Sequence, residues 1–204
     1  GSTVRYTVLE IGRRIAEEGL DVVGVPTSEA TKTLSRSLGI PLLTLEEAGE
    51  LDLTIDGADE FDTNLDLIKG GGGALTREKR VAEASKAMLV VADDRKQVDV
   101  LGAFDLPMEV IASDWEAARD RMLEICPGEV RLRGGDAPYL TDNGGYILDC
   151  EFGPTISDPE ALESQILSVS GLVEVGLFVG ICDAVVMATS TGVTTLVKGN
   201  GRLS

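Results

Sequence analysis

The sequence predicts an α/β protein: a Rossmann-like parallel sheet domain with a second, smaller ferredoxin-like α+β lobe. Three observations predict it. Helix-periodic and β-branched segments alternate through the first half of the 204 residues, as in a parallel sheet covered by helices. The middle of the chain switches to the order βαββαβ, that of a ferredoxin-like unit. Two β-rich segments then remain to return to the first sheet. The expected boundaries are 1–105 and 179–204 for the catalytic domain and 106–178 for the lobe.

In order, "VRYTVLEIGRRIAEEG" puts Val4, Val8, Ile11 and Ile15 on one helical face and stops at Gly19. "DVVGV" reads as a short strand ended by Pro26. "SEATKTLSRSLG" is a second helix with Ser28 as N-cap and Gly39 as its stop. "IPLLTL" is extended, "EEAGE" is a turn of helix and "LDLTID" is a strand. "ALTREKRVAEASK" is a helix and "AMLVVAD" a buried strand. In the lobe, "LPMEVIA", "EVRLR", "GYILDCEF" and "VEVGLF" are strands, and "DWEAARDRMLEI" and "DPEALESQILSV" are helices. "DAVVMATS" and "GVTTLVK" rejoin the first sheet. A doubly wound sheet ordinarily opens on a strand. Here "GST" leads directly into a helix, so either a first strand precedes it in the native chain or Gly1-Ser2 is a cloning remnant.

Composition narrows the function. Thirty-five acids against 18 bases give a formal charge of −17, which repels DNA, RNA and anionic lipid. No apolar run approaches the roughly 18 residues of a membrane span, and the start lacks a signal-peptide pattern. A soluble cytoplasmic protein is expected. Arginine outnumbers lysine about two to one. An acid-rich, lysine-poor surface suits concentrated salt, where cations screen self-repulsion. The unfolding midpoint is therefore expected to rise with added KCl; a midpoint flat in KCl would remove salt adaptation from consideration. Cys126, Cys150 and Cys182 stand singly and histidine is absent, which excludes a zinc site of the usual His/Cys kind. Acid–base chemistry must then fall to carboxylates, lysines or tyrosines.

The unusual residues cluster where the sheet's ligands are expected, beyond the carboxyl ends of strands. "KGGGGALTREK" brings Lys69 and a glycine run to a helix N-terminus, a place that favours an anion or a developing oxyanion. It is neither a Walker A loop nor GxGxxG, because Leu75 stands where the last glycine would be. Glu78 has Ala74, Leu75, Val81 and Ala82 at its i±3 and i±4 positions, so it projects from the inward face of its helix. Burial should raise its pKa and the helix N-terminus lower it, a balance suited to a general base. Arg77 and Lys79 fall on mixed faces. "DGADE" presents Asp56 and Asp59 at a strand end, where they could bind a metal, hold sugar hydroxyls or move protons. "DTNLD" imitates the opening of an EF-hand but has Leu67 and Gly73 where glycine and an acid are required. Glu60, Asp62 and Asp66 read as a solvated turn. Lys96 and the hydroxyls of "GST" and "PTSEAT" are phosphate-friendly.

Together, "GST", "DGADE", "IKGGGGALTREK", "VVADDRKQVDVLG", "LPMEVI", "TDNGGYILD", "VEVGLF" and "GVTTLVK" resemble the A-type ribose-5-phosphate isomerase family along nearly the whole chain. The resemblance implies interconversion of ribose 5-phosphate and ribulose 5-phosphate through an enediolate, with no metal or organic cofactor, in a homodimer or homotetramer. It implies that Glu78 moves the proton between C2 and C1 and that Asp56 opens the furanose ring. Asp59 would hold hydroxyls. Lys69 with Gly70, Gly71 and Gly72 would stabilise charge on oxygen. Gly1, Ser2, Thr3, Gly57, Ala58 and Lys96 complete the implied substrate contacts. The departure is at the front, where the family has a helix, a strand and "GTGST". Two rivals remain in view. A non-catalytic sugar-phosphate sensor would need a DNA-binding segment that this acidic chain lacks. A related deaminase would need a histidine.

Overall fold

The computed structural model of the chain describes residues 2–199 and 201. Its helices are α1 (Ser2–Glu18), α2 (Glu29–Ser37), α3 (Leu45–Ala48), α4 (Leu75–Glu83), α5 (Trp115–Met122) and α6 (Pro159–Leu167). The strands are β1 (Thr54–Asp56), β2 (Glu60–Phe61), β3 (Leu67–Ile68), β4 (Met88–Asp93), β5 (Leu106–Val110) and β6 (Val130–Leu132). They continue as β7 (Tyr146–Cys150), β8 (Leu172–Val175), β9 (Leu177–Phe178), β10 (Ala184–Thr189) and β11 (Gly192–Val197).

Local chemistry sets the helix ends. Ser28 accepts the Thr31 N–H and so caps α2, satisfying one of the orphan donors of the first turn. Thr44 and Glu47 form a reciprocal capping box on α3. α1 lies so close to the end of α2 that a Cβ at Gly12 would come 2.8 Å from the Leu38 Cβ.

Three sheets result. The first has the order β1-β4-β10-β11, with β4 parallel to both β1 and β10 and with β11 antiparallel at the edge. The lobe sheet, β6-β7-β5-β8, is antiparallel throughout and has the strand order of a ferredoxin-like unit, with α5 and α6 as its helices. A short sheet, β2-β3-β9, joins the two. Phe61, Leu67, Val90, Phe178 and Val185 pack one core, and Met108, Val110, Met122, Leu148, Ile166 and Val175 pack the lobe's. The three cysteines are free and buried.

Three sequence expectations are corrected. "DVVGV" does not form a strand: only Gly24 pairs, with Leu42, and Val22 and Val23 remain exposed. Strand propensity expresses fit to a half-buried pleated surface, and this segment has one bridge rather than a ladder to join. "VEVGLF" is two strands, because Gly176 passes against the Lys69 carbonyl so closely that no Cβ could fit. The chain turns there from the lobe sheet into the joining sheet. The acids of the turn are not solvated. Glu60 accepts the Gly102 and Phe104 N–H groups, Asp62 accepts those of Asn64 and Asp66, and Asp66 accepts that of Gly180. All three are buried; each offsets its desolvation by holding loop backbone that has no ladder partner.

Candidate active site

β1 ends on Asp56, and the turn after it carries Gly57, Ala58 and Asp59. β3 ends one residue before Lys69. Because β3 pairs with β2 and β9, Lys69 is delivered to the same edge of the first sheet as Asp56. Its N–H donates to the Gly176 carbonyl at 2.8 Å, and its side chain turns inward.

The Lys69 ammonium is the hub. It lies 2.9 Å from Asp56 Oδ2 and 3.2 Å from Glu78 Oε2, and it donates to the Gly57 carbonyl at 2.5 Å. The Lys69, Asp56 and Glu78 side chains are 4%, 10% and 13% exposed. Burial works to lower the Lys69 pKa, but Asp56 and Glu78 outweigh it and hold the ammonium above its usual range. Burial and then the Asp56 charge raise the Glu78 pKa, against the pull of Lys69. The Asp56 oxygen facing Lys69 is buried and accepts no well-aligned hydrogen bond among the described residues; its contact with the ammonium is ionic. It retains lone-pair capacity for a proton or a hydroxyl. A lysine thus stands between the two carboxylates.

Glu78 occupies the first turn of α4, whose N-cap, Ala74, supplies no side-chain hydrogen bond. Its neighbours are pinned from outside. Thr76 donates to the buried Glu109 carboxylate on β5, which also accepts Thr141 Oγ1. Arg77 donates to Asn143 Oδ1 and the Asp142 carbonyl. Lys79, expected on a mixed face, is instead buried and pairs with Glu163 at 2.6 Å and Glu174 at 2.7 Å. The i, i+3 pair Thr76 and Lys79 therefore anchors α4 to the lobe and leaves Glu78 directed at Lys69. The Phe178 ring lies between two cations, 5.4 Å from Lys69 Nζ and 5.2 Å from Lys79 Nζ.

The glycine run is a turn in which the Gly73 N–H donates to the Gly70 carbonyl at 2.9 Å. Gly70 has φ +108°, and a Cβ there would lie 3.0 Å from Pro107 Cβ, so conformation and space both demand glycine. At Gly71 a Cβ would meet Asp59 Oδ1 at 2.7 Å. The Gly71 N–H donates to Asp59 Oδ2 at 2.7 Å, so this amide holds Asp59, whereas all three glycines were expected to face oxygen charge on a ligand. Gly72 meets open space.

Asp56, Gly57 and Glu78 thus each contact Lys69, with Ala58 in the turn and Asp59, Gly70, Gly71 and Gly72 adjoining. α1 meets this group at its start: a Cβ on Gly57 would lie 3.5 Å from Val4 Cγ2. Thr3, in the first turn of α1, is exposed. Gly1 and the Ser2 side chain lie outside the described residues. Lys96 ends the turn after β4, half-buried, with its ammonium 5.9 Å over the Phe104 ring. It makes no contact with the Lys69 cluster among the described residues. Two surface hollows flank the cluster without including Asp56, Lys69 or Glu78. One, of about 420 Å³, lies among α2, α3 and α4; the other, of about 340 Å³, has Gly71, Phe104, Arg133 and Asp149 among its lining. Sequence reasoning passed over Glu109, Arg133 and Phe178. A buried acid in a strand and an aromatic beside two lysines become visible only once their partners are placed.

Residues 23–192 match the family described as ribose 5-phosphate isomerase A (phosphoriboisomerase A). The ribose-5-phosphate isomerase A of Cereibacter sphaeroides is 49% identical over 203 residues, covering 96% of this chain and 81% of the relative. Among solved structures, ribose 5-phosphate isomerase A from Methanocaldococcus jannaschii superposes with a TM-score of 0.91 at 42% identity, covering 97% of this chain and 88% of the other. A D-ribose-5-phosphate isomerase in complex with phospho-erythronic acid gives 0.92 at 39% identity, covering 97% and 87%. The Lys69 cluster, the glycine turn and the three-sheet fold occur in a chain that belongs to the ribose 5-phosphate isomerase A family.

Proposed function

We propose that this chain interconverts D-ribose 5-phosphate and D-ribulose 5-phosphate, with Glu78 carrying the proton between C2 and C1. The observation that carries this reading is the buried Lys69 ammonium within 3.2 Å of both Asp56 and Glu78. In the open-chain aldose the C2 proton is acidic because it lies α to the C1 carbonyl. Its removal forms an enediolate; with the hydroxyl proton passed from O2 to O1, return of the carbon-bound proton to C1 gives the ketose. One base suffices for both transfers if it stays unprotonated at rest and can reach both carbons. Glu78 suits that role: a raised pKa makes it a stronger base than a solvated carboxylate. Lys69 offers fixed positive charge to the oxygens that become negative, in a site already desolvated. Asp56, with its buried oxygen lacking a well-aligned donor, is suited to moving the proton between the C1 hydroxyl and the ring oxygen during furanose opening. Asp59 is assigned to sugar hydroxyls. Thr3 and Lys96, at the ends of neighbouring elements, are assigned to the far end of the substrate, where the phosphate would supply binding energy that orients the reacting carbons.

The direct test is turnover of ribose 5-phosphate by the purified chain, beside Asp56→Asn. The wild type is expected to turn over. The variant is expected to lose more rate on substrate presented as furanose than on the open-chain form, measured by pre-steady-state mixing. Equal losses would remove Asp56 from ring opening, and an inactive wild type would remove the isomerase reading. A non-catalytic sugar-phosphate sensor has no observation of its own in its favour. A cytoplasmic homodimer or homotetramer completes the proposal.

A further inference from the structure

Arg133 directly follows β6 and reaches across to the glycine turn. Its guanidinium holds the Asp149 carboxylate in a two-point pair, with Nε 2.9 Å from Oδ2 and Nη2 2.5 Å from Oδ1. The remaining donor, Nη1, bridges two successive carbonyls, those of Gly70 at 2.9 Å and Gly71 at 3.2 Å. In a planar trans peptide the C=O and the following N–H point in opposite directions. Fixing the Gly70 and Gly71 carbonyls toward Arg133 therefore aims the Gly71 and Gly72 N–H groups away from it. The first of these meets Asp59 at 2.7 Å. The second makes no hydrogen bond among the described residues. Three consecutive peptides without side chains would otherwise rotate freely. The Tyr139 hydroxyl, 3.3 Å from the Gly72 carbonyl, adds a weaker restraint, and the Tyr139 ring lies 5.9 Å from the guanidinium.

We propose that Arg133, held by Asp149, is a positioning residue of the isomerase site: by gripping the Gly70 and Gly71 carbonyls it presents the Gly72 N–H to a charged oxygen of the reacting sugar and keeps Asp59 in place. The inference rests on the isomerase reading above. It also assigns the lobe a part in the chemistry, since Arg133 directly follows β6 and Asp149 lies on the neighbouring β7. Lysine cannot replace this arginine, because a single ammonium cannot pair a carboxylate at two points and bridge two carbonyls at once.

The test compares the wild type with Arg133→Gln and Arg133→Lys. Three quantities are measured: kcat and KM on ribose 5-phosphate, and affinity for phospho-erythronic acid, for ribitol 5-phosphate and for inorganic phosphate. Phospho-erythronic acid carries a carboxylate at the end where the enediolate would bear charge; ribitol 5-phosphate does not. Both variants are expected to lose about tenfold or more in kcat with little change in KM, less than the roughly 10²–10³ lost when an oxyanion donor itself is deleted. Affinity for phospho-erythronic acid should fall by a similar factor, while ribitol 5-phosphate and phosphate bind as before. Equal weakening of all three ligands would mean that Arg133 serves only the fold and would overturn the inference. So would wild-type kcat in Arg133→Lys, the variant that preserves charge if Arg133→Gln does not fold. An inactive wild type would instead overturn the isomerase reading, and this inference with it.

Discussion

Glu78→Gln is expected to lower kcat on ribose 5-phosphate by about 10²-fold or more, with KM changed only a few-fold. The amide nearly matches the carboxylate in shape, so packing against the apolar face of α4 persists while the base is lost. The pH dependence should identify the same group. Burial and the Asp56 charge raise the Glu78 pKa, so the acid limb of kcat/KM in the wild type should lie above the ordinary glutamate value of about 4.3. Stability should move the other way. With a raised carboxylate pKa, the folded chain keeps a proton over a pH range in which the unfolded chain has released it. Ionisation of Glu78 therefore costs stability as pH rises through its folded-state value. At neutral pH the Gln variant should unfold at or above the wild-type temperature, with the difference shrinking in acid, where Glu78 is protonated in both states. Turnover near wild type would refute the base assignment, and a variant much less stable at neutral pH would refute the electrostatic account.

Removing the hub should cost the most. In Lys69→Met, two carboxylates that are 10% and 13% exposed lose their common cation. An uncompensated buried charge typically costs about 3–5 kcal/mol. The sign follows from the pKa of Lys69 itself. It is raised by Asp56 and Glu78 despite burial, so its stabilisation is complete below the unfolded-state value of about 10.4 and is lost only as pH rises through the higher folded-state value. The loss in Lys69→Met should therefore be full at pH 7. It should diminish in acid as Asp56 and Glu78 take up protons and need no partner. Urea unfolding at neutral and acid pH measures both. Isomerisation should fall by about 10²-fold or more wherever the variant remains folded, because the developing oxyanion loses its fixed charge. A Met variant as stable as wild type at pH 7 would show that the lysine offsets no burial cost.

Much of this was legible in order along the chain. The spacing of Leu75, Glu78, Val81 and Ala82 placed the glutamate on the packed face of its helix, because a period of 3.6 residues fixes which side chains share a face. "KGGGG" before that helix announced a close backbone approach. The hydrophobic runs of β4 and β10 announced neighbouring strands of one parallel sheet. Elements whose existence depends on a distant partner were misread. "DVVGV" carries strand propensity without a ladder. Glu60, Asp62 and Asp66 look solvated until the loops whose N–H groups they accept are placed beside them. Lys79 falls on a mixed helix face until α6 and β8 bring Glu163 and Glu174 to it.

By itself the sequence determined the fold class, the lack of any histidine to serve as a base and the inward placement of Glu78 on its helix, because these follow from local periodicity and residue type. Only the tertiary structure decided that one ammonium serves both Asp56 and Glu78, that the Gly71 amide is committed to Asp59, and that Arg133 holds the glycine turn from the lobe. Those contacts join residues up to 63 positions apart. Their energies depend on distance and burial, which a sequence does not contain until the chain has folded.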